Sequence, residues 1–304
     1  MGHTDKKNGS SFTYGAYLKM IKIEKGKNYL VTGGSGFLGE ELTRRILSSG
    51  GKVTILARNE GELIKAKQKF PNIEYYTGDI ADKFALRRFK DIEGIFHLAA
   101  FKHVGLAESQ ARECALSNVV GSLNVLEHAV DVGAEFVVGI STDKAAQVKG
   151  VYGASKLIME RLFAQFEKDH PEIQFRTVRY GNVLYSTGSV LCKWKELLKQ
   201  GKPVMVSEPK ATRFFWTLDQ AVDLIFNCMK NAENSYPYLP SMKSMSLANL
   251  LEAMAFKYLP QGKNLEIVQT GLSKGENFHE RILESGPSSD EAEQFTIEEI
   301  KELI

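Results

Sequence analysis

A chain of 304 residues, 43% apolar and 25% charged, has the make-up of an ordinary globular protein, built as one two-lobed unit or two modest domains. Its net charge of +2 gives no reason to expect a nucleic-acid partner, although that sum can hide a local basic pocket for a nucleotide diphosphate. Cys114, Cys192 and Cys228 are too few and too scattered for a disulfide framework or a zinc site, and no apolar run approaches the ~18 residues that span a bilayer. The expectation is a reducing, cytoplasmic setting with no metal and no membrane.

Residues 1–20 are polar and lack the apolar core of a signal peptide; they read as a disordered or added arm, and Met20 could be an internal start. Beyond them, Lys27–Val31 reads as a short buried strand. Thr32-Gly33-Gly34-Ser35-Gly36-Phe37-Leu38-Gly39 follows at once, and then an amphipathic helix carrying Leu42, Ile46 and Leu47. Gly33, Gly36 and Gly39 have the spacing of a turn that brings backbone N–H groups against a pyrophosphate, with a helix N-terminus behind it. An ordinary glycine-rich turn is the bland alternative; the strand before and the helix after favour the nucleotide.

A second strand is predicted at Val53–Ala57, a third at Ile73–Tyr76 and a fourth at Gly94–Ala99. The fifth is expected at Phe136–Ile140 and the sixth at Phe175–Tyr180, with helices over 111–131 and 152–169. This alternation predicts an α/β fold, a doubly wound parallel sheet over residues 21–182, with ligands at the carboxyl ends of the strands. After residue 183 the periodicity becomes irregular. The last segment, Ile297–Ile304, reads as an amphipathic helix whose apolar face needs a partner.

The second strand ends Leu56-Ala57-Arg58-Asn59, with no carboxylate until Glu60. An NAD site usually places an acid there, whereas Arg58 suits the 2′-phosphate of NADP; its other reading is a solvated surface arginine.

After the fifth strand comes Ser141-Thr142-Asp143-Lys144, and Tyr152 and Lys156 follow a few residues on. Tyr152 and Lys156 are four apart in a helical segment, so both leave one face. A phenol acting as a base needs its pKa brought down from ~10 toward neutrality, and a cation one turn away works in that direction. Asp143 and Lys144 could alternatively be a solvated salt bridge.

The glycine turn and the Tyr-x-x-x-Lys pair together resemble the extended short-chain dehydrogenase/reductase superfamily, over nearly the whole chain after about residue 26. The resemblance implies a Rossmann domain and a smaller C-terminal substrate lobe over 183–304, from which a segment near 215–230 returns to the first domain. It implies cofactor contacts from Gly33, Ser35, Gly36, Phe37, Leu38, Gly39, Arg58, Asp79, Ile80 and Ala99, with Tyr152 as acid/base and Lys156 on the nicotinamide ribose. Asn118 matches an asparagine that helps order the active site.

Thr142-Asp143-Lys144-Ala145 followed by Tyr152-Gly153-Ala154-Ser155-Lys156 is similar to the C5-inverting UDP-N-acetylglucosamine 4,6-dehydratases. Ala99-Ala100-Phe101-Lys102-His103-Val104, Arg179-Tyr180-Gly181-Asn182-Val183, Thr212-Arg213-Phe214 and Pro240-Ser241-Met242-Lys243 resemble further segments of that subgroup. Two arginines of its pattern are replaced here, by Thr187 and by Ser273, the second with Lys274 beside it to compensate.

Arg58 favours NADP as cofactor, and the resemblance implies a UDP-hexosamine such as UDP-N-acetylglucosamine as substrate, and a homo-oligomer. In the expected reaction Tyr152 removes the C4 hydroxyl proton as hydride passes to NADP, and Lys144 removes the C5 proton. Asp143 protonates the departing C6 hydroxyl. For this Lys144 must be neutral, its pKa brought down toward 7–8.

Candidate substrate contacts are Lys102, His103, Thr142, Asn182, Arg213 and Glu276. Lys102 and His103 have a second reading as a solvated or intersubunit pair, and Arg213 reads as either a phosphate ligand or an arginine packed on aromatic faces. His279 and Glu280 read as structural, Trp194 and Trp216 as packing residues. A UDP-sugar 4-epimerase or a C5-retaining dehydratase is the rival reading, and a non-catalytic NADP-binding module the remote one.

Overall fold

The computed structural model describes residues 20–304, so the arm expected at the N-terminus lies outside the described residues apart from Met20. Six parallel strands form the main sheet: β1 Asn28–Thr32, β2 Lys52–Ala57, β3 Glu74–Thr77, β4 Gly94–His97, β5 Phe136–Thr142 and β6 Gln174–Tyr180. Their order is β3-β2-β1-β4-β5-β6. Tyr29 of β1 pairs with Val53 on one side and with Gly94 on the other. All strands stay parallel, but the order of strand addition reverses between β1 and β4, which opens a crevice at the carboxyl edge of the sheet.

The inner strands β1, β4 and β5 are buried almost throughout because helices cover both faces, whereas the edge strand β3 is largely exposed. Tyr29, Val31, Ile55, Phe96 and Val138 enter one buried cluster, and Leu30, Leu56, Ile95, Val137 and Phe175 enter another. The helix Leu218–Asn231 adds Ala221, Val222, Ile225 and Cys228 to the first of these. Its N-terminus carries a capping box between Thr217 and Gln220, and Arg45 bridges to Asp219 and Asp223 on its outer side.

The helix expected over 111–131 is interrupted. Ala111–Ala115 and Gly121–Asp131 are α-helical, but Leu116–Val120 between them widens into a π turn. Asn118 lies within that turn and is buried.

The later part of the chain forms two small sheets. β7 Asn182–Val183 and β10 Ser244–Ser246 flank β9 Thr212–Trp216, while β8 Val204–Val206 pairs with β11 Ile267–Gln269. Helices Val190–Lys199, Leu247–Tyr258 and Ile297–Leu303 close a separate cluster around Trp194, Leu250, Met254 and Ile300. The apolar face of the C-terminal helix thus finds its partner within the chain.

Candidate active site

One cleft of about 1170 Å³ runs along the carboxyl edge of the sheet. Gly33, Ser35, Gly36, Phe37, Leu38, Gly39, Arg58, Asp79, Ile80 and Ala99 line it, together with Lys102, His103, Thr142, Lys144, Tyr152, Lys156, Asn182, Arg213 and Glu276. Of the residues singled out from the sequence as site residues, Asp143 alone is missing from that lining.

β1 ends at Thr32, and the glycine turn leads into the helix Phe37–Ser48, whose N-cap Gly36 offers no side chain to occupy the first-turn N–H groups. Gly33 has φ +71°, and a Cβ there would stand 2.8 Å from the Ala99 nitrogen. A Cβ on Gly39 would meet the Gly33 carbonyl oxygen at 2.6 Å. Glycine at these positions keeps the turn flat against the next strand and the helix end open, as a bound pyrophosphate requires. The residues present fit a dinucleotide. At the rim Arg58 and Asp79 face each other at 3.6 Å, both exposed, and Asp79 also accepts a hydrogen bond from the Ala81 nitrogen at 2.9 Å.

The catalytic end is assembled by β5 and the helix Val151–Asp169. β5 runs two residues further than expected, so Ser141 and Thr142 belong to the strand and Asp143-Lys144-Ala145 to a short 3₁₀ turn after it. Gly153 lets the helix close on that turn, because a Cβ there would lie 2.3 Å from the Lys144 carbonyl oxygen. Asn118 pins the loop after β4 to the same helix: its amide pairs with the Phe101 backbone at 2.7 and 2.9 Å and donates to the Ser155 hydroxyl at 2.9 Å. Beneath them Arg179 grips Glu160 through two buried bonds of 2.7 and 2.6 Å, and also pairs with Glu284.

The electrostatics correct two expectations. Burial pushes the Tyr152 phenol up to about 12, while the Lys144 charge and a hydrogen bond with Thr142 pull it back. Burial brings the Lys156 amine down to about 8, against the pull of Glu160. Lys144 is not lowered. Burial acts downward, but the carboxylates of Asp143 and Glu280 outweigh it and hold the amine protonated, with Arg213 opposing them.

Asp143 stands behind the cleft wall. One of its oxygens accepts from the Thr142 hydroxyl at 2.8 Å, the Lys144 backbone at 2.9 Å and the Lys144 amine at 3.0 Å. These bonds make it an anchor for the Lys144 side chain. Glu280, which sequence reasoning assigns to structure, does line the cleft, 3.4 Å from the Lys144 amine and 3.8 Å from Arg213. An acid after His279 was the only signal in the sequence, and nothing local ties it to Lys144.

Other departures are simpler. Arg213 spends its guanidinium on the carbonyls of Thr212, Asn277 and Phe278, each at 2.8 Å, so it braces the Glu280 segment and does not pack on aromatic faces. Lys102 donates to the Thr187 carbonyl at 2.9 Å, and burial lowers its pKa. Lys274 is highly exposed and lies 3.8 Å from Glu108, away from the cleft where Ser273 replaces an arginine. Glu276 closes a turn by accepting from the Ser273 nitrogen at 3.1 Å. Trp194 is buried and donates to the Met205 carbonyl at 2.9 Å, and Trp216 packs edge-on against Tyr180.

Among the described residues no helix is long and apolar enough to cross a membrane. Over residues 29–302 the chain matches the family described as "Polysaccharide biosynthesis protein". It is 34% identical over 290 residues, 92% of this chain and 85% of the other, to "Uncharacterized membrane protein MJ1061" of Methanocaldococcus jannaschii. A UDP-N-acetylglucosamine 4,6-dehydratase (inverting) of Campylobacter jejuni is 32% identical over 86% of this chain and 79% of its own length. A UDP-glucose 4-epimerase of Rickettsia conorii is 30% identical over 85% and 78%. The X-ray structure of Pen from Bacillus thuringiensis superposes with a TM-score of 0.81 at 32% identity, covering 85% of this chain and 81% of that one. The chain therefore belongs to the polysaccharide biosynthesis protein family, within the extended short-chain dehydrogenase/reductases that include nucleotide-sugar dehydratases and epimerases.

Proposed function

We propose that this protein is an NADP-dependent UDP-N-acetylglucosamine 4,6-dehydratase that releases a UDP-4-keto-6-deoxy-hexosamine with C5 inverted, working as a homo-oligomer. The observation that carries the reading is Lys144 and Tyr152 on one cleft wall, held together by the close approach at Gly153. An epimerase needs an acid/base for the C4 hydroxyl; a dehydratase needs in addition a base for C5, and Lys144 is that base.

Residues 21–182 hold the cofactor in this reading and residues 183–304 hold most of the sugar nucleotide. The turn from Gly33 to Gly39 cradles the pyrophosphate, Arg58 takes the 2′-phosphate, and Lys156 the ribose. A nicotinamide dinucleotide bound there would take hydride from the sugar's C4 and return it at C6. Tyr152 takes the C4 hydroxyl proton; the Lys144 charge is a protein group that already eases its ionisation. The C4 ketone then acidifies the C5 proton, which Lys144 removes. Lys102, His103, Asn182, Arg213 and Glu276 border the space left for the UDP-sugar.

The test is incubation with UDP-N-acetylglucosamine in heavy water without added reductant. The expected product is lighter by one water after isotope correction, carries deuterium at C5, and has the inverted configuration by proton NMR. A product of unchanged mass would instead make the protein a 4-epimerase, the reading that the Rickettsia relative favours.

A further inference from the structure

His97 ends β4 as a buried polar ring and does not line the cleft. It joins three other buried polar side chains, Thr32, Ser122 and Asn118, and none of the four is more than 1% exposed. Such groups are costly to bury unless their hydrogen bonds are complete. Here they are. The Ala99 nitrogen donates to Thr32 Oγ1 at 3.3 Å, and Thr32 Oγ1 meets His97 Nδ1 at 2.9 Å. His97 Nε2 meets Ser122 Oγ at 2.9 Å, and Ser122 donates to the Asn118 carbonyl at 2.7 Å.

One proton arrangement satisfies every member. A carbonyl oxygen can only accept, so the Ser122 hydrogen is committed to Asn118, and His97 Nε2 carries the proton that Ser122 Oγ receives. Burial and the Lys156 charge bring the imidazole pKa down to about 3, so the ring is neutral and its Nδ1 accepts. Thr32 supplies that hydrogen while its oxygen takes the Ala99 N–H. The chain of bonds therefore runs in one direction.

Its ends lie on the two sides of the cleft. Thr32 leads into Gly33, and Ala99 lies against that glycine, where a Cβ would come within 2.8 Å of the Ala99 nitrogen. At the other end the Asn118 amide donates to Ser155, and Ser155 donates to the Tyr152 carbonyl at 2.7 Å. Apolar contacts are non-directional, whereas hydrogen bonds weaken steeply off their axis. A buried chain of this kind holds the turn against the helix in one register.

Resting on the reading that a dinucleotide on the glycine turn takes hydride from C4, we infer that His97, as its Nε2–H tautomer, is a positioning residue for that transfer. It keeps the dinucleotide turn in register with Tyr152, acting through Thr32 on one side and through Ser122 and Asn118 on the other.

The tautomer is read from long-range proton–nitrogen NMR correlations of the imidazoles at neutral pH, with the His97 signals identified by their loss in His97→Leu. Nε2 should carry the proton and Nδ1 none; the reverse tautomer or an imidazolium overturns the inference. In turnover of UDP-N-acetylglucosamine, His97→Leu should lower kcat by up to about a hundredfold, the cost of a misplacement of about 1 Å. KM should stay near the wild-type value. Substrate deuterated at C4 should react more slowly still, which marks hydride transfer as the impaired step. His97→Gln should recover most of the loss, because a carboxamide also offers one acceptor and one donor.

His97→Leu at the wild-type kcat overturns the inference, as does a slowed variant with no C4 isotope effect, or a folded His97→Gln no faster than His97→Leu. Melting temperatures identify the folded variants. Should His97→Leu not fold, Ser122→Ala cuts the chain at its next bond and must show the same isotope effect; its absence overturns the inference. A wild type that yields neither epimer nor dehydrated product sinks the functional reading itself. Failure of the His97 variants alone sinks only the role of His97.

Discussion

The glycine turn and the acid–base cluster line one cleft, yet they are specified in opposite ways. The turn is local: within Thr32–Gly39 the chain supplies its own strand end, its glycines and its helix start. The cluster is assembled from a strand end, a helix, β9 and the segment after β11, which contribute Lys144, Tyr152, Arg213 and Glu280. A local motif can be altered with local consequences. An assembled one spreads the damage, because each buried charge there depends on partners from elsewhere in the chain.

That contrast is broken hardest at Lys144. Lys144→Ala should slow dehydration at least about a hundredfold while nucleotide affinity is retained, measured by product formation and by calorimetry with UDP. Full turnover by this variant would remove the base from the mechanism. A smaller but structural effect is expected at Gly153. An added methyl there meets the Lys144 carbonyl, so Gly153→Ala should cost about 1–3 kcal/mol in urea unfolding and should lower turnover with it. Unchanged stability would mean that helix and turn are less tightly apposed than their backbone contact implies. The smallest effect belongs to the turn's side of the cleft: Arg58→Ala should shift the preference between NADP and NAD toward NAD by about tenfold, the value of one bond to a charged group. No shift in the two dissociation constants would make Arg58 a partner of Asp79 only.

Much of the fold was legible in the residues. Each of the six strands lies within one or two residues of its expected place, and for the inner ones the reason is that a strand buried on both faces is an apolar run bounded by glycine and charge. The helix carrying Tyr152 and Lys156 begins one residue early, at Val151, for the same reason of pattern. The π turn at Leu116–Val120 was not legible, since no single residue announces a widened turn. Nor was Lys274 readable as a residue that points to Glu108 and away from the cleft.

What the residues determined unaided is the doubly wound sheet, its glycine turn and the helical spacing of tyrosine and lysine, because these depend on periodicity and on neighbours a few positions away. Tertiary structure alone decided the charge environment of that pair. It set Asp143 behind the wall, brought Glu280 up to Lys144 and kept the amine protonated. Such outcomes rest on burial and on contacts between distant segments, and the energy of a buried charge is fixed by what surrounds it in space.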